Sequence, residues 1–243
     1  MEPAVAETEA NFGRIHFQGE QFFCDHDGAL FWPRQNCLIV SDLHLEKGTA
    51  IAAGGCLIPP YDTGETLVKL GNCIDRWQPE KVICLGDSFH RDESANSLPL
   101  IYRLQLTQLM QAKDWIWISG NHDPNPPAGL QGICHEEYSI GALFFRHEQK
   151  QFQADTDLFA RQNGEISGHL HPCASIHRRG KRLRRRCFVS DHQRLILPAF
   201  GAFTGGLNVF HQAFYGLFDQ AALHVWMLGQ NQIYELSGSQ LSR

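Results

Sequence analysis

Apolar runs recur along the first two thirds of the chain, and each run gives way to polar residues. The first three are nearly continuous in Val, Ile, Leu and Trp, which is typical of strands that are covered on both faces. Trp115, Trp117 and Phe145 lie inside such runs, so we predict that they pack in the core and do not stack on nucleic-acid bases. The five predicted strand segments are CLIVSDLHL (37–45), KVICLGDS (81–88), WIWISGNHD (115–123), ALFFRHE (142–148) and GEISGHLHP (164–172).

Residues 61–77 predict a helix, because their apolar residues recur at helical spacing. Asp62 is followed three residues later by Glu65, which resembles a capping box at the start of this helix. The predicted apolar stripe consists of Leu67, Leu70, Ile74 and Trp77.

Residues 98–113 predict a second helix between two of the strands. We expect Ile101, Leu104 (or Tyr102) and Leu109 to face inward. Strands that alternate with helices in this way predict an α/β domain built in layers.

The two ends of the chain lack this alternation. Residues 1–36 predict a β-hairpin or meander, and Asp25, His26 and Asp27 suit a turn there better than a metal site. After residue 186 the apolar runs are shorter and are bounded by Gly, Asp and Gln, which favours an antiparallel sheet. We therefore predict one domain over 1–243, made of an N-terminal β-hairpin region (1–36), a core that carries the candidate chemistry (37–172) and C-terminal antiparallel strands (173–243).

The length and composition narrow the class of protein. The chain has 243 residues, 43% of them hydrophobic, which suits a domain with a sizeable core. No apolar run reaches the roughly 18–20 residues that a membrane span needs, and the acidic N-terminus lacks the pattern of a signal peptide. The eight cysteines include no CxxC pair, so we predict reduced cysteines in a cytoplasmic protein without a membrane partner.

The charge of −5 is unevenly distributed, because the segment 178–186 (RRGKRLRRR) holds seven of the 21 Lys and Arg residues. A dense cationic strip on an otherwise acidic chain suggests contact with a polyanion. Arg184, Arg185 and Arg186 are the candidate substrate-binding residues, because each cation that meets a phosphate of a nucleic acid releases counterions. The alternative is a solvated strand with alternating charges, and the sequence leaves it open.

Every one of the five apolar runs ends in side chains that bind metals. Because strand ends in an α/β sheet converge on one crevice, we expect these groups to meet in space. Carboxylate, amide and imidazole donors together suit Mn, Fe, Zn or Co better than Ca. The polar groups are Asp42 and His44, Asp87, Asn121 with His122 and Asp123, His147, and finally His169 and His171.

The ordered motifs Asp-x-His, Gly-Asp, Gly-Asn-His-Asp, a lone His and Gly-His-x-His resemble the calcineurin-like binuclear metallophosphoesterase superfamily. The resemblance implies a layered β-sandwich with mixed sheets, flanked by helices, and a site at the carboxyl ends of strands. It implies one metal bound by Asp42, His44, Asp87 and His171. It implies a second metal bound by Asp87, Asn121, His147 and His169, so that Asp87 bridges the two.

The resemblance also implies the chemistry of the site. Two cations can grip a phosphate and make a metal-bridging hydroxide available near neutral pH. His122 would lie outside the metal shell as the general acid that protonates the leaving oxygen, and Asp123 would orient His122 or brace the turn. Many members carry Asp where this chain has His90; His90 and Arg91 could reach a phosphate or could belong to a plain loop.

The run PAFGAFTGG (198–206), together with SDLHLEKG, LGDSFH, RHE and GHLHP, resembles the bacterial ligase-associated DNA damage response endonucleases. This resemblance implies a manganese-dependent enzyme of DNA repair that is encoded near a DNA ligase and a helicase. We favour single-stranded DNA, because a metal crevice does not readily admit a duplex. Two alternatives stay open: a phosphodiesterase or phosphatase for small nucleotides, which needs no cationic strip, and a non-catalytic module, although no expected ligand is missing. The oligomeric state is left open.

Overall fold

The computed structural model describes residues 12–55, 61–91, 94–125, 127, 129–150 and 163–243. The strands within these ranges form two mixed sheets. The strands are β1 (Gly13–Phe17), β2 (Glu20–Cys24), β3 (Leu30–Trp32), β4 (Cys37–Val40), β5 (Lys81–Cys84), β6 (Asp114–Ile118), β7 (Ile133–His135), β8 (Glu137–Ile140), β9 (Leu143–Arg146), β10 (Gly164–Ser167), β11 (Pro172–Arg178), β12 (Lys181–Ser190), β13 (Arg194–Ile196), β14 (Leu207–Asn208), β15 (His224–Leu228) and β16 (Ile233–Ser237).

The first sheet has the order β1-β2-β3-β4-β5-β6-β7. β1 to β4 form an antiparallel meander, as predicted for the N-terminal region, and the turn between β2 and β3 closes through the Gly28 N–H and the Asp25 carbonyl at 2.9 Å. From β4 to β7 the strands are parallel, in the manner of an α/β sheet. The parallel arrangement brings the ends of β4, β5 and β6 to the same edge.

The second sheet has the order β14-β11-β12-β13-β10-β9-β8, and β15 and β16 extend it beside β12. β9, β10 and β13 are mutually parallel, whereas β11, β12, β15 and β16 are antiparallel. The long strand β12 pairs with β11 through its outer half and with β13 and β15 through its inner half. The predicted change to antiparallel strands after residue 186 is confirmed for β15 and β16, whereas β13 also pairs parallel with β10 and β14 pairs parallel with β11.

The two sheets pack face to face, because alternate residues of each strand point to opposite sides. Ile39 of β4, Ile83 of β5 and Ile116 of β6 face Phe145 and Ile166 across this interior. The intervening residues of the first sheet face a layer of helices, which explains why these strands are apolar throughout. Trp115 and Trp117 are buried between the first sheet and these helices, as predicted.

The helices on the outer face of the first sheet are α1 (Lys47–Ala53), α2 (Asp62–Trp77), α3 (Ser94–Ser97) and α4 (Leu100–Met110). The predicted stripe of α2 is buried at Leu67, Leu70 and Ile74, and Trp77 packs against it. The predicted capping box is wrong, since Asp62 already belongs to the helix and accepts a hydrogen bond from the Gly48 N–H of α1 at 2.8 Å.

The inward face of α4 differs from the prediction at Ile101 and Leu104, whereas the alternative Tyr102 and Leu109 face inward as expected. Ile101 and Leu104 are exposed, whereas Leu106 and Met110 are buried and Tyr102 and Leu109 pack at the margin of the same cluster. The core-facing residues therefore follow the spacing 102, 106, 109 and 110, and the helix is rotated relative to the predicted face.

Seven of the eight cysteines lie in the described ranges, and all seven are free thiols; Cys56 lies outside these ranges. Burial raises the pKa of the thiols of Cys24, Cys37 and Cys187, so they stay protonated and pack as small apolar residues. None of the described helices combines the length and the apolar character that a membrane crossing requires.

Candidate metal centre

The predicted ligands come together where strands of both sheets end. Within β4, β5 and β6, and again within β9 and β10, the strands are parallel, so the residues that follow them emerge side by side. The polar residues after these strands are Asp42 and His44 (after β4), Asp87 (β5), Asn121 and His122 (β6), His147 (β9), and His169 and His171 (β10).

Five of these residues have a left-handed backbone, which is uncommon for residues other than glycine. Hydrogen bonds between the loops hold the conformation: the His44 N–H donates to the Asp87 carbonyl at 2.9 Å, and the His169 N–H donates to the Asp42 carboxylate at 3.1 Å. Backbone strain of this kind concentrates at functional sites, where the surrounding structure enforces it. The φ angles are 52° at Asp42, 44° at His44, 46° at Asp87, 68° at His169 and 47° at His171.

The first group of donors consists of Asp42, His44 and His171, whose ligand atoms all lie within 4.8 Å of one another. The Nε2 atoms of His44 and His171 are 3.3 Å apart, and His171 Nε2 is 3.2 Å from Asp42 Oδ1. One carboxylate oxygen and two imidazole nitrogens thus surround a common point.

The second group consists of Asp87, His147 and His169, again within 4.8 Å. His147 Nε2 is 3.4 Å from Asp87 Oδ2, 3.1 Å from His169 Nδ1 and 2.9 Å from Asn121 Oδ1. Asp87 Oδ2 is also 3.8 Å from His44 Nε2 of the first group. The Asp87 carboxylate therefore lies between the two groups, in the position that a bridging ligand needs.

Both central carboxylates are buried and ionised at neutral pH. Burial alone would raise the pKa of Asp42, but the hydrogen bond and the charge of His171 outweigh burial and lower it. In the same way, burial would raise the pKa of Asp87, but the hydrogen bond and the charge of His147 lower it. Two buried anions therefore face each other across the centre.

The histidines divide into two kinds. Burial lowers the pKa of His44 to about 3, and burial also lowers the pKa of His169, so both rings are neutral near pH 7. At His147, burial is outweighed by the hydrogen bond to Asp87 and by the charge of Asp42, which raise its pKa to about 9. Without a cation in the centre, His147 therefore holds a proton between the two carboxylates.

This donor set fits a pair of divalent cations. Among the described residues only histidines lie at ion-pair distance from Asp42 and Asp87, and Lys47 attracts the two anions from farther away. Imidazole nitrogens only 3.1–3.3 Å apart face the same space, and a metal ion that displaced the proton of His147 would satisfy both nitrogens of each pair. The mixture of oxygen and nitrogen donors suits Mn, Fe, Zn or Co.

Glycines allow the loops to approach this closely. A Cβ atom on Gly168 would lie 1.7 Å from Ser41 Oγ and 2.6 Å from Asp42 Oδ2. A Cβ on Gly120 would lie 2.3 Å from Asp87 Oδ1. The Gly residues of the two motifs are therefore required by the space beside the carboxylates.

Asp123 braces the turn, which was one of the two predicted roles. Its carboxylate accepts hydrogen bonds from the N–H groups of Ser88 (2.8 Å), Phe89 (3.1 Å) and Gly120 (3.1 Å). These bonds tie the loop after β6 to the loop after β5, where Asp87 lies. Asp123 belongs to neither donor group.

His122 lies at the solvent side of the centre. Its backbone N–H donates to Asp87 Oδ1 at 2.9 Å, its Nε2 is 4.0 Å from Asp87 Oδ2, and its side chain is 42% exposed. The ring of His90 stacks on that of His122 with centroids 5.2 Å apart and also contacts His44. His122 is therefore close to the donor groups but free to face a substrate, and His90 limits the positions of its ring.

Arg184, Arg185 and Arg186 lie on β12, outside the two donor groups. Arg186 is the most buried of the three, and its guanidinium donates to the carbonyls of Ala199 (3.0 Å), Ala202 (3.3 Å) and Thr204 (3.1 Å). Arg186 thus holds the loop 199–206, a role that the charge pattern did not indicate. A fourth cation beside this loop, Lys69 of α2, was also missed, since a lone lysine within a helical pattern carries no distinguishing signal.

Comparisons with known proteins identify the family of the chain. The calcineurin-like phosphoesterase family model matches residues 36–195, and no curated protein sequence matches the chain. The crystal structure of the Pseudomonas putida nuclease MPE is similar over 93% of this chain and 100% of its own, with a TM-score of 0.69 and 24% identity. Yfce, a phosphoesterase from E. coli, covers 83% of this chain and 98% of its own, with a TM-score of 0.40 and 12% identity.

The family match spans well over half of the sequence, so the chain belongs to the calcineurin-like phosphoesterase family. It is a metal-dependent hydrolase with the mixed α/β fold of that family, as the motifs predicted. The candidate ligand groups for the binuclear divalent metal centre of the family are both present.

Proposed function

We propose that this hydrolase is an endonuclease that cleaves phosphodiester bonds of DNA, preferably single-stranded, in DNA repair. The resemblance of PAFGAFTGG and its accompanying motifs to the ligase-associated DNA damage response endonucleases supports this assignment. So does the fold that the chain shares with a protein described as a nuclease. The same resemblance leads us to propose manganese as the metal, the cytoplasm as the location, and a functional association with a DNA ligase and a helicase.

The two donor groups support the set of ligands that we propose for the centre. Divalent ions bound there would supply positive charge for the phosphate and a water of lowered pKa as the nucleophile. Asp42, His44, Asp87 and His171 would hold one ion. Asp87, Asn121, His147 and His169 would hold the other.

The position of His122 is the observation that carries the proposal. An alkoxide leaves DNA only with difficulty, and a proton donor on its side of the phosphate makes departure easier. His122 lies beside the bridging carboxylate Asp87, outside both donor groups, and its ring is open to solvent. We assign to His122 Nε2 the proton that passes to the departing deoxyribose oxygen.

The experiment is an incubation of the purified chain with circular single-stranded DNA, linear duplex DNA and a cyclic dinucleotide, each with Mn, Fe, Zn, Co or no added metal. Nicking of the circle, strongest with Mn, is the expected result, because an exonuclease has no end to attack on a circle. Hydrolysis of the cyclic dinucleotide alone would contradict the proposal and would favour a phosphodiesterase for small nucleotides. The metal-free reaction and a His44→Ala variant are the controls.

A further inference from the structure

Beside the candidate metal centre lies a second, strongly cationic cavity of about 480 Å³, which we call the basic cavity. Its wall is formed by β12, by α2 and by the loop 199–206. Its cationic lining residues are Lys69, Arg184, Arg185 and Arg186, and Asp27 is the carboxylate among its lining residues.

The cations of the basic cavity are held in place by carbonyl oxygens, and the carboxylates of Asp27 and Glu65 attract Lys69 only from beyond ion-pair distance. Lys69 donates to the Phe200 carbonyl, Arg184 donates to the Gly206 carbonyl, and Arg186 donates to three further carbonyls of the same loop. A carbonyl oxygen fixes the direction of a cation but carries no net charge. Within the described ranges no carboxylate forms an ion pair with these three side chains, and Asp27 has Arg76 as a partner at 3.5 Å.

Lys69 is buried next to the Arg186 guanidinium. Burial and the neighbouring Arg186 guanidinium lower the pKa of this lysine to about 8. Positive groups that are packed together and lowered in this way gain stability when an anion joins them. Guanidinium groups fixed in advance suit a phosphate, with which they form strong charge-assisted hydrogen bonds.

The loop 199–206 connects the basic cavity to the candidate metal centre. At one end, the Gly201 N–H donates to the carbonyl of Asp42 at 3.0 Å. At the other end, a Cβ atom on Gly206 would lie 2.5 Å from the carbonyl oxygen of His171. Asp42 and His171 both belong to the first donor group, while Thr204, Gly205 and Gly206 line the cavity. The cavity and the centre are thus on adjacent sides of one short loop.

We propose that the basic cavity binds a backbone phosphate of a single nucleic-acid strand while another phosphate of the same strand lies at the metal centre. This inference rests on the proposed nuclease function and adds to it a second point of attachment. A second attachment explains why Lys69 meets the three inner arginines of β12 at a cavity beside the loop. It also favours polymers over mononucleotides, which offer no second phosphate at that distance.

The test measures binding of a fluorescent single-stranded oligonucleotide to the full chain in a chelator, so that no cleavage occurs. The variants are Lys69→Met and Arg184→Gln, and Lys69→Arg serves as the conservative replacement. Arg182→Gln is the matched control, since Arg182 lies on the same strand and carries the same charge but does not line the basic cavity. Thermal unfolding and Mn²⁺ affinity of each variant check that the fold and the metal centre are intact.

We expect the Kd of the oligonucleotide to rise about tenfold for Lys69→Met and Arg184→Gln, and by less than about twofold for Lys69→Arg and Arg182→Gln. The slope of log Kd against log salt should fall by about 0.7 for each phosphate that the variant no longer neutralises. Equal losses of affinity for Arg182→Gln and Arg184→Gln would indicate a diffuse electrostatic attraction and not a site in the basic cavity. Unchanged affinity in both cavity variants would also overturn the proposal.

Two further comparisons separate related explanations. Oligonucleotides with and without a 5′-phosphate should bind the wild-type chain equally, and the cavity variants should weaken the binding of both by the same factor. If the variants weakened only the binding of the phosphorylated strand, this would contradict binding of a backbone phosphate. Nicking of circular DNA by the wild-type chain tests the nuclease function separately. A chain that nicks DNA but binds the oligonucleotide equally well in all variants would refute the cavity alone, whereas selective binding without nicking would refute the nuclease function alone.

Discussion

His122 and His147 both lie beside the Asp87 carboxylate, but their surroundings give them different tasks. His147 is buried, and its ring contacts a carboxylate, a carbonyl and an amide oxygen, so its position is determined on every side. His122 is held through its backbone N–H and keeps a partly exposed ring. The first arrangement suits a ligand, and the second suits a group that exchanges a proton with a substrate.

Replacement of His122 tests the second task. His122→Ala should lower kcat/KM for DNA by roughly 10²–10⁴, the range of general acid catalysis. The decrease should be far smaller for bis(p-nitrophenyl) phosphate, because a nitrophenolate leaves without a proton. Steady-state kinetics on both substrates provide the measurement, with His16→Ala, an exposed histidine on β1, as the control. Equal decreases on both substrates would contradict the role of His122 as the general acid.

The proton on His147 predicts how metal binding depends on pH. A metal ion needs the neutral imidazole and must displace the proton, and the pKa of His147 is raised to about 9. Apparent Mn²⁺ affinity should therefore rise by up to about tenfold per pH unit between pH 6.5 and 8.5 and level off above about pH 9. Titration calorimetry at several pH values measures this dependence. In His147→Asn the affinity should be lower and less dependent on pH over the same range, whereas a wild-type affinity that does not change would contradict the prediction.

At the scale of elements, the centre depends on loops that approach one another more closely than side chains would allow. The loop after β10 lies against the loop after β4 through Gly168, and the loop after β6 lies against the loop after β5 through Gly120. Asp123 adds three hydrogen bonds between the last two loops. Each loop therefore positions the candidate ligands of the neighbouring loop as well as the candidate ligands that it carries itself.

Gly168→Ala tests this dependence between elements. The new Cβ would displace Ser41 and Asp42, because it would lie 1.7 Å from Ser41 Oγ. Mn²⁺ affinity should fall at least about tenfold, and the free energy of unfolding should decrease by about 1–3 kcal/mol, as for overpacked sites. Gly205→Ala is the matched control, because no atom lies within 4 Å of the Cβ position at Gly205. Titration calorimetry measures the Mn²⁺ affinity of both variants, and denaturant unfolding measures their free energy of unfolding. Equal losses in Gly168→Ala and Gly205→Ala would argue against close packing as the cause.

At the scale of the whole molecule, the candidate metal centre joins the two sheets of the sandwich. Asp42, His44 and Asp87 follow strands of the first sheet, whereas His169 and His171 follow a strand of the second. Ions bound by both sets would link the sheets at one edge. Metal binding should therefore stabilise the entire fold and not only the loops.

Removal of the metal tests this coupling. At a free Mn²⁺ concentration of 100 times the Kd, binding at one site should add about 2.7 kcal/mol to the free energy of unfolding, and a chelator should remove this increment. Differential scanning calorimetry with Mn²⁺ and with a chelator measures the difference in Tm. His44→Ala should show a smaller difference, and a wild-type Tm that does not respond to Mn²⁺ would exclude a metal link between the sheets.

Much of the architecture follows from local patterns. The nearly continuous apolar runs predicted β4, β5 and β6, and helical spacing predicted the buried face of α2. The prediction of the inward face of α4 was wrong at Ile101 and Leu104, because their outward positions depend on how the helix packs on the sheet. Asp62 was assigned to the cap of its own helix, but in the folded chain its carboxylate accepts from Gly48 in the preceding one.

The sequence by itself determined which chemical groups follow which strands, since a residue and the strand before it are covalent neighbours and parallel strands end at one edge. That is why the candidate metal-binding residues, from Asp42 to His171, could be predicted to meet at one place, while their division between two metals came from the family resemblance. Only the tertiary structure decided that Arg186 holds a loop, and that Lys69 and Arg184 meet at one cavity across more than a hundred residues of chain. Such contacts arise from packing between distant segments, and no periodicity or spacing along the chain encodes them.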